Sequence, residues 1–439
     1  MKDKSTRREF LGAAATASAA VAASLAGGQT HVARASATPG PNDTINIGLI
    51  GCGGRGLYLM SRFQKLPGVR IVAVADVNDP RTAAAREQAG GSQVKAFHDY
   101  RELLELKDIQ AVIVATNKHW HALPTIHACQ AGKDVYIEKP LAHSIGEGRA
   151  MVQAAEKYNR IVQIGTQQHS CRHYQQAVEV IRSGELGEIS EVKVWDYENQ
   201  YPGWGSPADC DPPPGLDWDF WLGPAPKVPY NPNRFLHDYW FFDYAGSFQC
   251  DWAVHHYDIV HWAMGVDRPK TVMAMGGMMC FPENNLQYPD TLDAVLEYPP
   301  GPVAKQGFLM QYTFRGGCRR EHRSHGKCFY GTKASLFLDR GGYTIVPENA
   351  IEDRSKHVTV DDTPDNHAEV FLECVRTRTK PAADAEVGHY ATIPGHLINI
   401  AWRTGHKIHW DADQEVVKDD PEANALVHKK YREPWKLEV

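Results

Sequence analysis

The sequence holds no run of eighteen uncharged apolar residues, so no segment has the length and apolarity of a stable membrane span. Its nine cysteines, at 52, 129, 171, 210, 250, 280, 318, 328 and 374, are odd in number, widely spaced and without a Cys-x-x-Cys pair. That excludes a zinc ribbon or a disulfide framework, although one or two bridges remain compatible with an oxidising compartment. Basic charge is not in surplus: 47 Lys and Arg face 53 Asp and Glu, a net charge of −6. Such a surface argues against nucleic acid or an anionic membrane as partner. Beyond the alanine-rich N-terminus there is no internal repeat and no low-complexity segment.

What is present begins with an address. Ser5-Thr6-Arg7-Arg8-Glu9-Phe10-Leu11 is a twin-arginine signature, followed by a weakly apolar segment from Gly12 to Ala26 and the small-x-small sites Ala33-Arg34-Ala35 and Ala35-Ser36-Ala37. Residues 1–37 are therefore expected to be a twin-arginine signal peptide. The mature protein is expected to be soluble, exported folded to the periplasm or beyond, and to carry any cofactor with it. Removing 1–37 leaves 42 basic against 51 acidic side chains, a net charge of −9. About 400 remaining residues suggest two domains sharing an interface.

From Ile45 to about Gly165, apolar runs of strand length (45–50, 70–75, 94–97, 110–115, 134–137, 161–164) alternate with helix-length segments, the pattern of a doubly wound parallel sheet. Ser144-Ile145-Gly146-Glu147 is a capping box that opens a helix over 144–158. After residue 165 the strands at 189–197, 271–279, 292–298, 306–314 and 335–339 have little helix between them, which predicts an α+β domain with a largely antiparallel, open sheet. Residues 199–235 hold nine prolines together with Tyr201, Trp204, Trp218, Phe220, Trp221 and Tyr230. A loop of this length is a lid or a packed excursion. Its aromatics could stack on sugar faces, but the favoured reading is that Trp218 and Trp221 pin the loop to the body. Helices are expected at 366–377 and 388–404 on either side of Pro381, bracing the interdomain junction, with a polar surface tail over 406–439. The expected division is 1–37 signal, 38–165 nucleotide-binding domain, 166–405 substrate and oligomerisation domain, and 406–439 tail.

Three stretches carry chemistry. Ile45-Asn46-Ile47-Gly48-Leu49-Ile50 ends in Gly51-Cys52-Gly53-Gly54-Arg55-Gly56, a Gly-x-Gly-x-x-Gly turn that lets backbone approach a pyrophosphate at a helix N-terminus, as in a Rossmann sheet. Asp76 closes the next apolar run twenty residues later. A carboxylate there accepts from ribose hydroxyls and repels a 2′-phosphate, favouring NAD over NADP. Asp134-Val135-Tyr136-Ile137 ends in Glu138-Lys139-Pro140, so Lys139 would project from a strand tip toward a reacting oxygen, and its bond to Pro140 is a candidate cis bond. In Asp251-Trp252-Ala253-Val254-His255-His256-Tyr257-Asp258, helical spacing would put Asp251 and His255 one turn apart, a carboxylate orienting an imidazole base. His256, Tyr257 and Trp204 are candidate substrate contacts. A zinc reading of Asp251, His255, His256 and His261 has no further ligand cluster at matching spacing, so no metal is expected.

The Gly-x-Gly-x-x-Gly opening, the strand-terminal Glu-Lys-Pro and the Gly followed by Asp-x-x-x-His-x-x-Asp together resemble the Gfo/Idh/MocA oxidoreductases. The Ala-Thr-Asn run at 115–117, Trp218-Asp219-Phe220-Trp221-Leu222-Gly223-Pro224 and the helix containing Gly388-His389 extend the resemblance over nearly the whole mature chain. It implies tightly bound NAD, with Gly51, Gly53, Gly54 and Arg55 on the pyrophosphate, Asp76 on the ribose, and Thr116, Asn117 and His121 along the cofactor. Glu138, Lys139 and Gln167 would lie near the nicotinamide, with His255 as acid/base and Asp251 as its partner. Where many members carry Arg, this chain has Gln168, which weighs against acidic sugars. His119 and His121 are ligand contacts or structural histidines. The implied activity is oxidation or reduction of a secondary hydroxyl of a sugar, cyclitol or glycoside by a homodimer or homotetramer. Glycoside cleavage through transient C3 oxidation, and a non-catalytic binding role, are the alternatives.

Overall fold

The computed structural model describes residues 44–319, 323–348, 356–359 and 366–439. The twin-arginine segment lies outside them. Thr44–Val439 forms one compact unit containing two sheets. The first consists of β1 (Ile45–Ile50), β2 (Val69–Ala75), β3 (Lys95–Phe97), β4 (Ala111–Val114), β5 (Asp134–Ile137) and β6 (Val162–Ile164). Their spatial order is β3-β2-β1-β4-β5-β6, all parallel. β4, β5 and β6 are buried along their whole length, which is why apolar residues dominate them. The order reverses between β1 and β4, and ligands of such sheets bind in the crevice outside the strand C-termini at that point. The helix Ile145–Lys157 begins as the capping box requires, with Ser144 Oγ accepting from Glu147 N at 3.3 Å.

The second sheet has ten strands, in the order β14 (Lys356–Thr359), β13 (Gly342–Pro347), β12 (Ala334–Asp339), β11 (His325–Gly331), β7 (Ile189–Tyr197), β10 (Phe308–Arg315), β9 (Thr291–Tyr298), β8 (Thr271–Gly277), β15 (Ile408–Asp411) and β16 (Val416–Val417). Every neighbour pair is antiparallel except β7 with β10. One face packs on the helices Arg172–Ser183, Val254–Met264 and Ala385–Thr404, while Met273, Met275, Val295 and Leu309 point outward. Part of the expected C-terminal tail is thus sheet, because Ile408 and Trp410 bury apolar side chains beside β8.

The helix His367–Thr377 crosses back to the first sheet, where Phe371 meets Phe63 and Tyr136 edge-on at 6.0 and 5.8 Å. The helix Ala385–Thr404 packs between helices of the two halves, Ile145–Lys157 and Val254–Met264, as a brace. The proline-rich excursion is fixed rather than free. Trp218 stacks on Trp221 at 4.5 Å, Phe220 stacks on Trp435, and Asp217 N donates to Val77 O beside the end of β2.

Candidate active site

The glycine-rich turn has the shape a dinucleotide phosphate needs. Gly51 has φ +94°, and a Cβ there would lie 2.6 Å from the Ala115 carbonyl carbon. Gly54 by contrast faces open space, and Gly53, the N-cap of the helix Gly54–Phe63, provides no side-chain cap. The first N–H groups of that helix are left for an anion. Asp76 accepts from Cys52 N at 2.6 Å and Asn78 N at 2.9 Å, which fixes its carboxylate beside the turn. Burial pushes the Asp76 carboxyl up, while those N–H groups and Arg81 hold it down. Thr116 Oγ1 is buried without a hydrogen-bond partner among the described residues and lines the main cavity. A polar ligand would satisfy it. These residues fit a dinucleotide.

That cavity, of about 570 Å³, opens at the C-terminal ends of β4 and β5 against the second sheet's helices, and is lined by Arg55, Glu138, Lys139, Gln167, Asp251 and His255 among others. Arg55 donates to Glu138 at 2.6 Å across its floor. Lys139, which is followed by a cis bond to Pro140, forms an ion pair with Asp251. Lys118 Nζ stands 3.4 Å from Asp251 and 3.6 Å from Asp238. Burial would raise the Asp251 carboxyl, but Lys139, then Lys118, hold it below the ordinary range.

The helical expectation for Asp251 is corrected here. Ser247–Cys250 is a short separate helix that Asp251 closes with φ −121°, and the next helix starts only at Val254. Asp251 therefore turns to Lys139 and Lys118 instead of orienting His255. The His255 imidazole has Nδ1 unpartnered among the described residues, and burial, then Lys139, Arg340 and other cations, hold its pKa well below the ordinary value. That lowering favours the neutral ring, which borders the cavity.

His256 and Tyr257 do not line the cavity. His256 bonds Asp196 at 3.2 Å, and Tyr257 is wholly buried against Tyr312. On a helix covered on every side, successive residues leave the site face. Trp204 borders a neighbouring cavity, where it lies on His237 at 4.6 Å. Asn117 begins the turn Lys118–Trp120 without lining the main cavity. His121 does line it, with Nδ1 2.7 Å from Pro140 O and Nε2 3.1 Å from Thr116 O; burial lowers it to about 4, so the neutral ring donates its single N–H to one of these two carbonyls. His119 is structural, bonding Trp221 O at 2.9 Å. His261 bonds Tyr298, and among the described residues no group of three or more His, Cys, Asp or Glu side chains is placed to hold a metal.

Sequence reasoning missed Lys118, Tyr239, Trp252 and Arg340, all of which line the cavity. The rule that picked Lys139 applies equally to Lys118, just after the tip of β4. Trp252 gathers the site: its ring lies 5.6 Å from His255 and beneath Lys139 and Arg340 at 5.8 and 4.5 Å. Gln168 accepts from the buried Lys327 at 3.2 Å.

A parallel six-stranded sheet with a glycine-rich phosphate turn, facing a lysine–aspartate pair and a neutral imidazole, defines the two-part dinucleotide-binding oxidoreductase class. Two family models match the chain. One, the Gfo/Idh/MocA oxidoreductase family's NAD-binding Rossmann fold, covers residues 45–166, and the other, its C-terminal alpha/beta domain, covers 175–276 and 330–437. The chain belongs to the Gfo/Idh/MocA oxidoreductase family. It is 33% identical over 147 residues to inositol 2-dehydrogenase of Salmonella typhimurium, covering 33% of this chain and 44% of that protein. It is 31% identical over 201 residues to a glycosyl hydrolase family 109 protein of Solibacter usitatus, covering 43% and 45%. The chain thus spans less than half the length of these curated relatives. Among solved structures, the WlbA dehydrogenase from Bordetella pertussis in complex with NADH and UDP-GlcNAcA matches at TM-score 0.63 and 19% identity, over 84% of this chain and 100% of that one. Levoglucosan dehydrogenase with NADH and levoglucosan matches at 0.63 and 17%, over 83% and 99%. These likenesses establish the fold.

Proposed function

We propose that this protein is an exported, NAD-dependent oxidoreductase acting on a secondary hydroxyl of a sugar, cyclitol or glycoside. The observation that carries the reading is that Lys139, Asp251 and His255 line one cavity at the strand tips beside the glycine-rich turn. Bound NAD would supply a hydride acceptor at its nicotinamide. Gly51, Gly53, Gly54 and Arg55 would hold the pyrophosphate, Asp76 the ribose, and Thr116, Glu138 and Gln167 the nicotinamide end. Lys139 would donate to the reacting oxygen and stabilise negative charge there, and neutral His255 would accept the hydroxyl proton. Asp251 serves as counter-ion to both lysines. NAD over NADP rests on the Asp76 carboxylate beside the turn. Export rests on Arg7-Arg8 and the segment after it, and a homodimer or homotetramer on the outward apolar side chains of the second sheet. The inositol dehydrogenase likeness supports polyol chemistry, and the family 109 likeness gives weaker support to glycoside cleavage with the hydride returned.

The test is mass spectrometry of nucleotide released from the purified protein, then absorbance at 340 nm across a panel of sugars. NAD is expected, with NADH formed on some of them. Lys139→Ala and His255→Ala should each lower kcat/KM by roughly a hundredfold or more. Unchanged rates would remove both assignments, and aglycone release without net NADH would select the cleavage reading.

A further inference from the structure

A second cavity, of about 620 Å³, adjoins the first and shares Lys139, Tyr239, Asp251 and Trp252 with it. It extends away from the nucleotide turn toward the C-terminal end of β7 and the proline-rich excursion. One wall is aromatic: Trp204, Trp240 and Phe248, with Trp240 5.7 Å from Phe248 and 6.1 Å from Trp204. The other wall is polar and incompletely paired. Gln200 is 8% exposed, yet neither its amide nitrogen nor its amide oxygen has a hydrogen-bond partner among the described residues. Its backbone is pinned by N–H donation to Gly316 O at 2.8 Å, so the side chain is held in this wall. His325 has Nδ1 on Ser324 Oγ at 3.2 Å and a buried Nε2 that is also unpartnered. A buried amide left unpaired is costly, and a native wall retains two such groups where a ligand completes them.

From this wall we infer that the substrate has at least two linked sugar rings, the oxidised ring over Lys139 and His255 and a second pyranose in the cavity across Trp252. A pyranose offers an apolar C–H face for indole and phenyl rings and vicinal hydroxyls that donate and accept at once. Gln200 supplies both complements from one side chain. An aryl aglycone would stack equally well but leave the Gln200 amide unsatisfied, which is why a sugar is favoured.

The inference rests on the proposed carbohydrate reading and is tested by binding, so it can fail separately from it. The NAD-saturated full chain is titrated calorimetrically with gluco- and galacto-configured monosaccharides, their α- and β-linked disaccharides, and the matching phenyl glycosides. At least one disaccharide is expected to bind about tenfold more tightly than its monosaccharide, and Trp204→Ala and Gln200→Leu should each shrink that preference to about threefold or less. Gln200→Leu keeps the side-chain volume, so its effect does not depend on a disturbed fold. Equal binding of one ring and two, a preference that survives both variants, a phenyl glycoside bound as tightly as the disaccharide, or no sugar bound at all would overturn the inference. A two-ring preference without NADH formed from any sugar would leave it standing and remove the dehydrogenase reading instead.

Discussion

At the residue scale the site is governed by how two lysines share one carboxylate. Asp251 is almost wholly buried and touches both Lys139 and Lys118, while Lys118 also has Asp238 at 3.6 Å and the Tyr239 ring at 4.9 Å. Replacing one partner of a buried ion cluster leaves charge without compensation, a larger effect than loss of the pair itself. Asp251→Asn is therefore expected to destabilise by about 3 kcal/mol in denaturant titration and to depress turnover together with it. Unchanged stability would mean that water already solvates these lysines. The His255 imidazole gives a second prediction. Burial and the surrounding cations lower its pKa, so the base form persists to more acidic pH than for an ordinary histidine. The acid limb of kcat/KM should lie clearly below pH 6.5, and an inflection at 6.5–7 assigned to His255 would show that the cavity cations do not reach the ring.

At the element scale, folding depends on close approaches that only glycine permits. A Cβ on Gly56 would overlap the Gly51 carbonyl oxygen, so the helix Gly54–Phe63 could no longer start against the turn. Gly56→Ala is expected to abolish nucleotide retention, read by mass spectrometry, and to lower the melting temperature. Ser144→Ala, which removes the helix cap and a 3.1 Å donation to Glu147 at a residue that does not line the cavity, should cost about 1 kcal/mol and leave nucleotide bound. The difference between these elements is also what made the sequence readable in some places and opaque in others. The six parallel strands are short, mostly apolar segments between turn signals, and all six stand where the pattern put them. β11 was not legible because Lys327, wholly buried, occupies one of its inward positions, and β15 because it follows a helix within a polar tail. The break between Cys250 and Val254 was hidden for another reason. Residues 251–258 carry good helical spacing, and only the backbone, with Ser247 at φ +58° and Asp251 turned to two lysines from the first sheet, shows that tertiary ion pairing overrides it. Local pattern thus located Lys139, Asp251 and His255 in one cavity but mispaired them. Gln200 and Trp252 carried no signal beyond standing next to a strand end and a histidine run.

At the scale of the whole molecule, buried neutral histidines stand at the strand tips of the first sheet and under the second. His121 bridges the loops after β4 and β5, His367 bonds the Ile164 carbonyl of β6 at 2.8 Å, and His396 bonds Ala142 O at 3.2 Å from the bracing helix. His261, under the second sheet, bonds the Tyr298 hydroxyl. Burial lowers all four to about 4. In the unfolded chain these rings take up protons near pH 6.5, while in the folded protein they do so only near 4, so between those values the unfolded state binds more protons. Stability is then fully present above about pH 6.5 and falls as pH drops toward 4, by up to about 1.4 kcal/mol per pH unit for each ring. Three of the four rings hold the strand tips that carry Thr116, Lys139 and Gln167, so acid should loosen the cavity before it melts the sheets. Thermal melts from pH 8 to 4 are expected to be flat down to about 6.5 and then to decline steeply, with bound nucleotide released at milder acidity than that needed for loss of far-UV circular dichroism. A melting temperature unchanged down to pH 4.5 would mean that these histidines reach water in the folded protein, and the junction that positions Lys139 against His255 would then need some other source of rigidity.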